Sequence, residues 1–177
     1  MRKDSVRRKM DWNQVSGPTS WVVFLGATVF GAGLFPKMPG TMGTLAAVPL
    51  AYWVNSWSLG FSLGFWVLLS GFGVWCATRF DQLMNTGDNQ NIVIDEVVGF
   101  GISTLSLQPQ PSMAWVVAFF LFRFFDGFKL PPVRQIDQWS KNHSSAWMGG
   151  VGVVADDLVA ALQTLGVILL LQWGRIL

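Results

Sequence analysis

The sequence predicts an all-α fold: a polytopic helical membrane bundle with broken or re-entrant segments. Three observations lead there. Of the 177 residues, 51% are hydrophobic and only 12% are charged, about half the charge of a typical soluble domain. The charges also leave long gaps. None lies between Lys37 and Arg79, a stretch long enough for two membrane crossings of about 20 residues each. Trp12–Pro36, Val97–Phe122 and Leu158–Gly174 are charge-free as well. Finally, glycine and proline interrupt the apolar segments where a simple spanning helix would run on. A soluble protein with a large apolar core is the alternative, but too little polar chain lies outside the gaps to cover so much apolar surface. The 10 Trp against a single Tyr fit side chains placed at a membrane–water boundary.

Residues 1–17 read as a basic polar N-terminal tail and residues 18–177 as one membrane-embedded domain. Arg2, Lys3, Arg7, Arg8 and Lys9 precede the first apolar segment. They favour a cytoplasmic N-terminus by the positive-inside rule and can touch anionic head groups. Nothing after Trp21 resembles a cleaved signal peptide. A nucleic-acid partner is not expected, because the basic residues are not interleaved with aromatics. Residues 20–35 are apolar but short and glycine-rich, so an incomplete or re-entrant helix is as plausible as a crossing. Two prolines and two glycines then break the chain over Pro36–Thr44, with helix expected to resume near Thr41–Thr44. Residues 59–78 are the clearest crossing, ended by Arg79 and Asp81. A polar turn leads to a helix over Ile92–Leu107, which the run Gln108–Pro111 stops. Met113–Phe128 follows, ended by Pro131-Pro132. After a polar stretch, Gly149-Gly150 leads into a last helix over Val151–Trp173.

The informative residues are the ionisable groups inside these apolar segments. Asp95-Glu96 and Asp156-Asp157 are two adjacent carboxylate pairs. A carboxylate at the centre of a membrane helix costs about 2.5–3.5 kcal/mol on insertion scales. Four uncompensated ones would cost on the order of 10 kcal/mol, comparable with the stability of a whole domain. Facing the bundle interior, interfacial placement, pairing with cations or metal binding must offset this. Neighbours on a helix point about 100° apart, so one member of each pair is expected as a direct ligand. The other would hold a water, a cation or a second ion. A set of hard oxygen ligands suits Mg²⁺, and structural ion pairing with Arg123 and Lys129 is the alternative. Arg123, Asp126 and Lys129 recur every three residues and share one helical stripe. Asp126 would orient Arg123 or join the metal cluster, while Arg123 and Lys129 can bind phosphate oxygens. Pro36–Thr44 offers a phosphate cradle of bare glycine backbone, free helix-start N–H groups, the Thr41 and Thr44 hydroxyls and Lys37. A Pro-Gly turn between helices needs no ligand, however.

Several mechanisms are excluded. Cys76 is the only cysteine and His143 the only histidine, so there is neither a disulfide nor a cysteine metal site. Cys76 and Arg79 sit at an apolar helix end and do not form a thiol phosphate loop. A phospho-histidine mechanism lacks its second histidine, and no Walker-type loop occurs. Metal-assisted hydrolysis of a phosphate ester remains, with water or a carboxylate as nucleophile and cations holding the phosphate.

Four segments together resemble the phosphatidylglycerophosphatase A family: FPKMPGTMGTLAAVPL (35–50), DNQNIVIDEVVG (88–99), LFRFFDGFKLPPVRQID (121–137) and GGVGVVADDLVAA (149–161). They fall in the family's order and cover most of the chain from residue 24 onward. The matching positions are Pro39-Gly40-Thr41 with Gly43, Asp95-Glu96 with Gly99, the Arg123/Asp126/Lys129 series, Pro132 with Arg134, Gly149-Gly150, and Asp156-Asp157. The chain departs at Lys129-Leu130-Pro131-Pro132, where the family often has Lys-Pro-x-Pro. His143 has no counterpart. The resemblance implies a Mg²⁺-dependent lipid phosphatase of the bacterial inner membrane. The charge gaps make it multi-pass, and the basic N-terminus and the polar segment ends beside the acids are expected to put its active site toward the cytoplasm. Its reaction would convert phosphatidylglycerophosphate to phosphatidylglycerol and phosphate. The expected catalytic residues are Asp95, Glu96, Asp126, Asp156 and Asp157, with Asp95, Glu96, Asp156 and Asp157 as metal ligands. Lys37, Gly40, Thr41, Arg123, Lys129 and Arg134 are expected to bind the substrate phosphate. A small transporter or channel with intramembrane carboxylates is the competing class. It would predict symmetric halves or paired broken helices, and neither is seen. A scaffold protein would leave four carboxylates without a purpose.

Overall fold

The computed structural model describes residues 15–86, 89–107, 113–129, 131–135, 138 and 146–177. The basic tail and His143 lie outside them. The described residues form α1 (Pro18–Ala27), a 3₁₀ turn (Ala32–Leu34), α2 (Pro39–Val54), α3 (Leu59–Met84), α4 (Ile94–Ser103), α5 (Met113–Phe128) and α6 (Ala146–Trp173), with no strand among them. The all-α expectation holds.

Residues 18–54 make one interrupted passage. Proline occupies the first turn of α1, where its missing N–H costs nothing. Gly26 brings α1 onto α3 so closely that a Cβ there would lie 2.7 Å from Cys76 Sγ. Phe24 stacks on Phe80 with ring centres 6.4 Å apart. The helix stops at Ala27. Thr28 Oγ1 donates to the Phe24 carbonyl at 2.7 Å and accepts from the Gly31 N–H at 3.2 Å, while Val29 and Phe30 turn left-handed at φ 49° and 52°. The Ala27 carbonyl then accepts from the Val93 N–H at 2.8 Å, and Gly33 lies against the Asn91 carbonyl. The break is therefore level with the start of α4. α2 continues in the same direction as α1. It begins at Pro39, earlier than the sequence suggests, because proline at a helix start supplies a suitable φ and loses only an orphan donor.

The other boundaries shift for identifiable reasons. α3 runs past Arg79 and Asp81 to Met84. Asp81 is buried; its Oδ1 accepts from Thr86 Oγ1 at 2.7 Å and from the Asn89 N–H at 3.2 Å. It therefore anchors the following loop and does not end the helix. α4 is shorter than expected, since Thr104 Oγ1 donates to the Phe100 carbonyl at 3.0 Å and the backbone tightens to an i→i−3 bond from Leu105 to Ile102. α6 begins at Ala146, and Gly149-Gly150 lie inside it. Gly150 serves close packing: a Cβ there would meet Thr78 Oγ1 and lie 2.8 Å from the Val74 carbonyl.

α4 is the centre of the bundle. Eight of its ten residues are buried, and it packs against α2, α3, α5 and α6. α3 and α6 are long and apolar enough to cross a membrane, and only 22% and 39% of their apolar windows are buried in the bundle. Most of that apolar surface therefore faces outward, unlike a soluble core helix.

A polar knot closes the end of the bundle away from the start of α4. Asn55 Nδ2 donates to the Gly101 carbonyl at 3.0 Å and to Thr104 Oγ1 at 3.1 Å, and Asn55 Oδ1 accepts from Trp66 Nε1 at 2.8 Å. One side chain thereby ties α2, α3 and α4. Interhelical hydrogen bonds in membrane bundles are individually modest, but Asn55→Ala also strands the Trp66 indole N–H, and Trp66 is fully buried. The substitution is expected to lower stability by about 1–2 kcal/mol, read as a lower unfolding midpoint in detergent with little change in activity per folded molecule.

Candidate active site

Four elements converge where α4 begins. Asp95 and Glu96 occupy its first turn, where the positive end of the helix dipole favours acids. Asp157 comes from α6, Arg123 and Asp126 come from α5, and Gly40 opens α2. Asp95, Glu96 and Asp157 each place one carboxylate oxygen within 4.8 Å of the others, a grouping that could hold a metal ion. Asp95 and Asp157 are buried at 9% and 4% exposure. Glu96 Oε2 and Asp157 Oδ2 are buried with no hydrogen-bond partner. Two inaccessible anionic oxygens without donors are costly, and a hard cation is the simplest group to satisfy both. Asp126 adds a fourth carboxylate close to Asp157.

At ten residues α4 is too short to span a bilayer. Burial pushes its Asp95 carboxyl well above the usual carboxylate range, and the charges of Glu96 and Asp157 push the same way. Glu96 is raised too, chiefly by burial; its hydrogen bond with Asp95 opposes the shift, as does the charge of Arg123. Without a cation, proton uptake would be the way to relieve the cluster.

Cations border the acids. Arg123 Nη1 lies 2.7 Å from Asp126 Oδ2 and 3.7 Å from Glu96 Oε1. A Cβ on Gly40 would collide with Glu96 Oε1 and sit 3.0–3.1 Å from both terminal nitrogens of Arg123. Bare backbone at the start of α2 therefore lets that helix end reach the acid–guanidinium pair. Lys129, left-handed at φ 45° just beyond α5, donates to Asp156 Oδ2 at 2.7 Å.

The sequence-predicted residues thus divide. Asp95, Glu96, Asp126, Asp157, Arg123 and Gly40 come together, and Thr41 sits half-buried beside Gly40. Asp156 turns to Lys129 and is not in the Asp95/Glu96/Asp157 group. One member of the second pair lies in the group, and both members of the first pair do. Lys37 and Arg134 are exposed, and neither makes an ion pair among the described residues. The sequence reading missed Asp81 as a loop anchor. The available signal was an acid followed by Thr86 and Asn89 in a turn-forming run.

Known proteins give a consistent comparison. The model of the family described as Phosphatidylglycerophosphatase A matches residues 25–172. Phosphatidylglycerophosphatase A of Escherichia coli is 36% identical over 145 residues, 80% of this chain and 78% of that protein. The Haemophilus influenzae protein of the same name is 35% identical, covering 85% of this chain and 89% of its own. A Bacteroides thetaiotaomicron protein provisionally named as a phosphatidylinositol-3-phosphatase is 32% identical, over 87% of this chain and 96% of its own. No solved structure matches at a significant level.

The division of the second carboxylate pair can be tested without any reaction. Asp157→Asn is expected to weaken Mn²⁺ binding at least about tenfold. Asp156→Asn, whose carboxylate holds Lys129, is expected to change it only a few-fold. Electron paramagnetic resonance titration of the purified chain reads both.

Proposed function

Because the chain belongs to the phosphatidylglycerophosphatase A family, we propose that this cluster is its active site, hydrolysing the terminal phosphate monoester of phosphatidylglycerophosphate with Mg²⁺. The products are phosphatidylglycerol and inorganic phosphate. One observation carries the assignment: Glu96 and Asp157, each with a buried oxygen that has no hydrogen-bond partner, share one acid group, and the other Glu96 oxygen faces a guanidinium that reaches the start of α2. Acids for a cation and donors for an anion meet at one point, as phosphoryl transfer requires. A permeation path would instead string its charges along the bundle, so the transporter reading is not favoured.

Asp95, Glu96 and Asp157 would hold the ion, with Asp126 completing the carboxylate wall beside Asp157. When bound, Mg²⁺ supplies charge stabilisation at the phosphoryl oxygens. Arg123 keeps donors beyond those facing Asp126 and Glu96, and its fork can bind a phosphate oxygen pair while Asp126 fixes its plane. The backbone at Gly40 and Thr41 presents helix-start N–H groups to the same anion. Lys129 is held ready by Asp156 and would neutralise phosphate charge. Lys37 and Arg134 lie outside this inner group and would act on the approaching head group. In the reaction, water attacks phosphorus, the bond from phosphorus to the glycerol oxygen breaks, and a proton passes to that leaving oxygen.

Residues 18–177 would act as one domain in the bacterial inner membrane, with the cluster facing the cytoplasm. Three features support this placement. The basic residues precede α1, α1 enters from the end of the bundle nearest the cluster, and the C-terminal ends of α3 and α5 and the N-terminal end of α6 lie at that same end.

Purified protein is expected to release phosphate from phosphatidylglycerophosphate in the presence of Mg²⁺ and to stop on chelation. Asp95→Asn should lower the rate on the order of a hundredfold or more. Arg123→Lys should lower it on the order of a hundredfold, since a point charge cannot replace the fork. Faster release from phosphatidylinositol 3-phosphate under the same conditions would reassign the substrate while keeping the chemistry. Normal turnover by Asp95→Asn would remove the site assignment itself.

Placement has its own test. In a Cys76→Ser background, cysteines introduced at Gln90 and Gln135, both exposed, should react with an impermeant thiol reagent only from the cytoplasmic side. Labelling of both from the opposite side would invert the orientation.

A further inference from the structure

We propose that Gly99 is a positioning residue for the metal centre: its bare α-carbon sets the spacing between α4 and α6 that lets Asp157 meet Asp95 and Glu96. The proposal rests on the reading of those three acids as cation ligands and adds a residue that does not itself touch the ion. Gly99 follows Asp95 by four residues and Glu96 by three, so it lies under the carboxylates on the same face of α4. It is buried. A Cβ built there would stand 3.2 Å from the backbone carbonyl of Asp157 and 2.7 Å from both Cε2 and Cζ of Phe122. The first contact belongs to an acid of the cluster. The second belongs to the neighbour of Arg123, and Phe122 is fully buried, so its ring has no open space to enter. A single methyl would therefore push α6 away at Asp157 and α5 away next to Arg123.

Metal ligands need placement within about half an ångström. A few tenths of an ångström at the Asp157 backbone, together with the displaced ring, is movement on that scale. Alanine is the better helix former, so the substitution does not act by weakening α4. Gly101 provides a matched control on the same helix. A Cβ there would overlap the Trp66 ring more tightly than one at Gly99 meets Phe122, and that ring packs at the knotted end of the bundle, away from the acids.

Mn²⁺ binding to the full-length purified chain, followed by electron paramagnetic resonance without substrate, tests the idea. Gly99→Ala is expected to weaken Mn²⁺ on the order of tenfold, while Gly101→Ala keeps wild-type affinity in its folded fraction. In turnover, Gly99→Ala should need more Mg²⁺ for half-maximal rate, and the double substitution Gly99→Ala/Phe122→Leu, which spares the α5 neighbour of Arg123, should do so with KM for the lipid phosphate unchanged at saturating ion. If Gly99→Ala does not fold, the double substitution Gly99→Ala/Phe122→Leu removes the ring clash, keeps the contact with the Asp157 carbonyl and carries the same expectation. Equal Mn²⁺ affinity in wild type and Gly99→Ala would overturn the role of Gly99 alone. Equal weakening by Gly99→Ala and Gly101→Ala would reduce it to general packing. A wild-type chain that binds no Mn²⁺ would overturn the metal reading and this inference with it.

Discussion

Mutual repulsion among carboxylates held out of water is the constraint on which the rest of the bundle depends. Asp95, Glu96, Asp126 and Asp157 crowd together in a protein whose outer helices are apolar. Left alone, they would drive the helices apart. Each neighbouring feature answers that problem. The acids of α4 sit at a helix start, where backbone dipoles favour negative charge. Arg123 stands between Glu96 and Asp126. Lys129 takes Asp156 out of the group. What these leave unanswered is the pair of donorless oxygens on Glu96 and Asp157, and a divalent ion fits that remainder.

The interrupted passage belongs to the same solution. A continuous helix from Pro18 to Val54 would carry its hydrogen-bonded midsection past the acids and offer them nothing. Breaking it at the depth of α4 creates a new helix start beside Glu96. Irregular backbone at such depth is tolerated only where protein partners satisfy it. Here the Ala27 carbonyl finds Val93, and the Thr28 side chain bonds both Phe24 and Gly31. A stretch that reads as a short, glycine-spoiled helix is thus the price of an anion-facing helix end.

Much of this was legible in the sequence, and for one reason: charge is rare enough in the chain that each buried instance stands out. The limits of α5 were legible from its flanking prolines, and the four acids, Arg123 and Gly40 from their settings. Glycine was harder to read. Gly149-Gly150 looks like a helix start but lies inside α6, because a glycine that ends a helix and one that admits a neighbouring backbone are identical in sequence. Asp156 and Asp157 could not be told apart either. Their roles differ because they point to different neighbours from α6: Asp157 to the acids of α4, Asp156 to Lys129 beyond α5. Asp81 was read as ending the crossing, since its partners Thr86 and Asn89 matter only once the loop closes on it.

The unequal lengths of the helices bear on how a lipid would meet this site. α5 has 16 residues, roughly 24 Å of rise, against a hydrocarbon layer of about 30 Å, while α3 and α6 exceed that layer. Mismatch of this kind is relieved by local thinning of the bilayer around the short element. In a bilayer, the aqueous boundary on the flank formed by α5 would then dip toward Arg123 and Asp126. A phospholipid diffusing along that flank would bring its head group down to the acids without leaving its leaflet. Substrate delivery would then follow from the shape of the surrounding membrane, with no moving part in the protein.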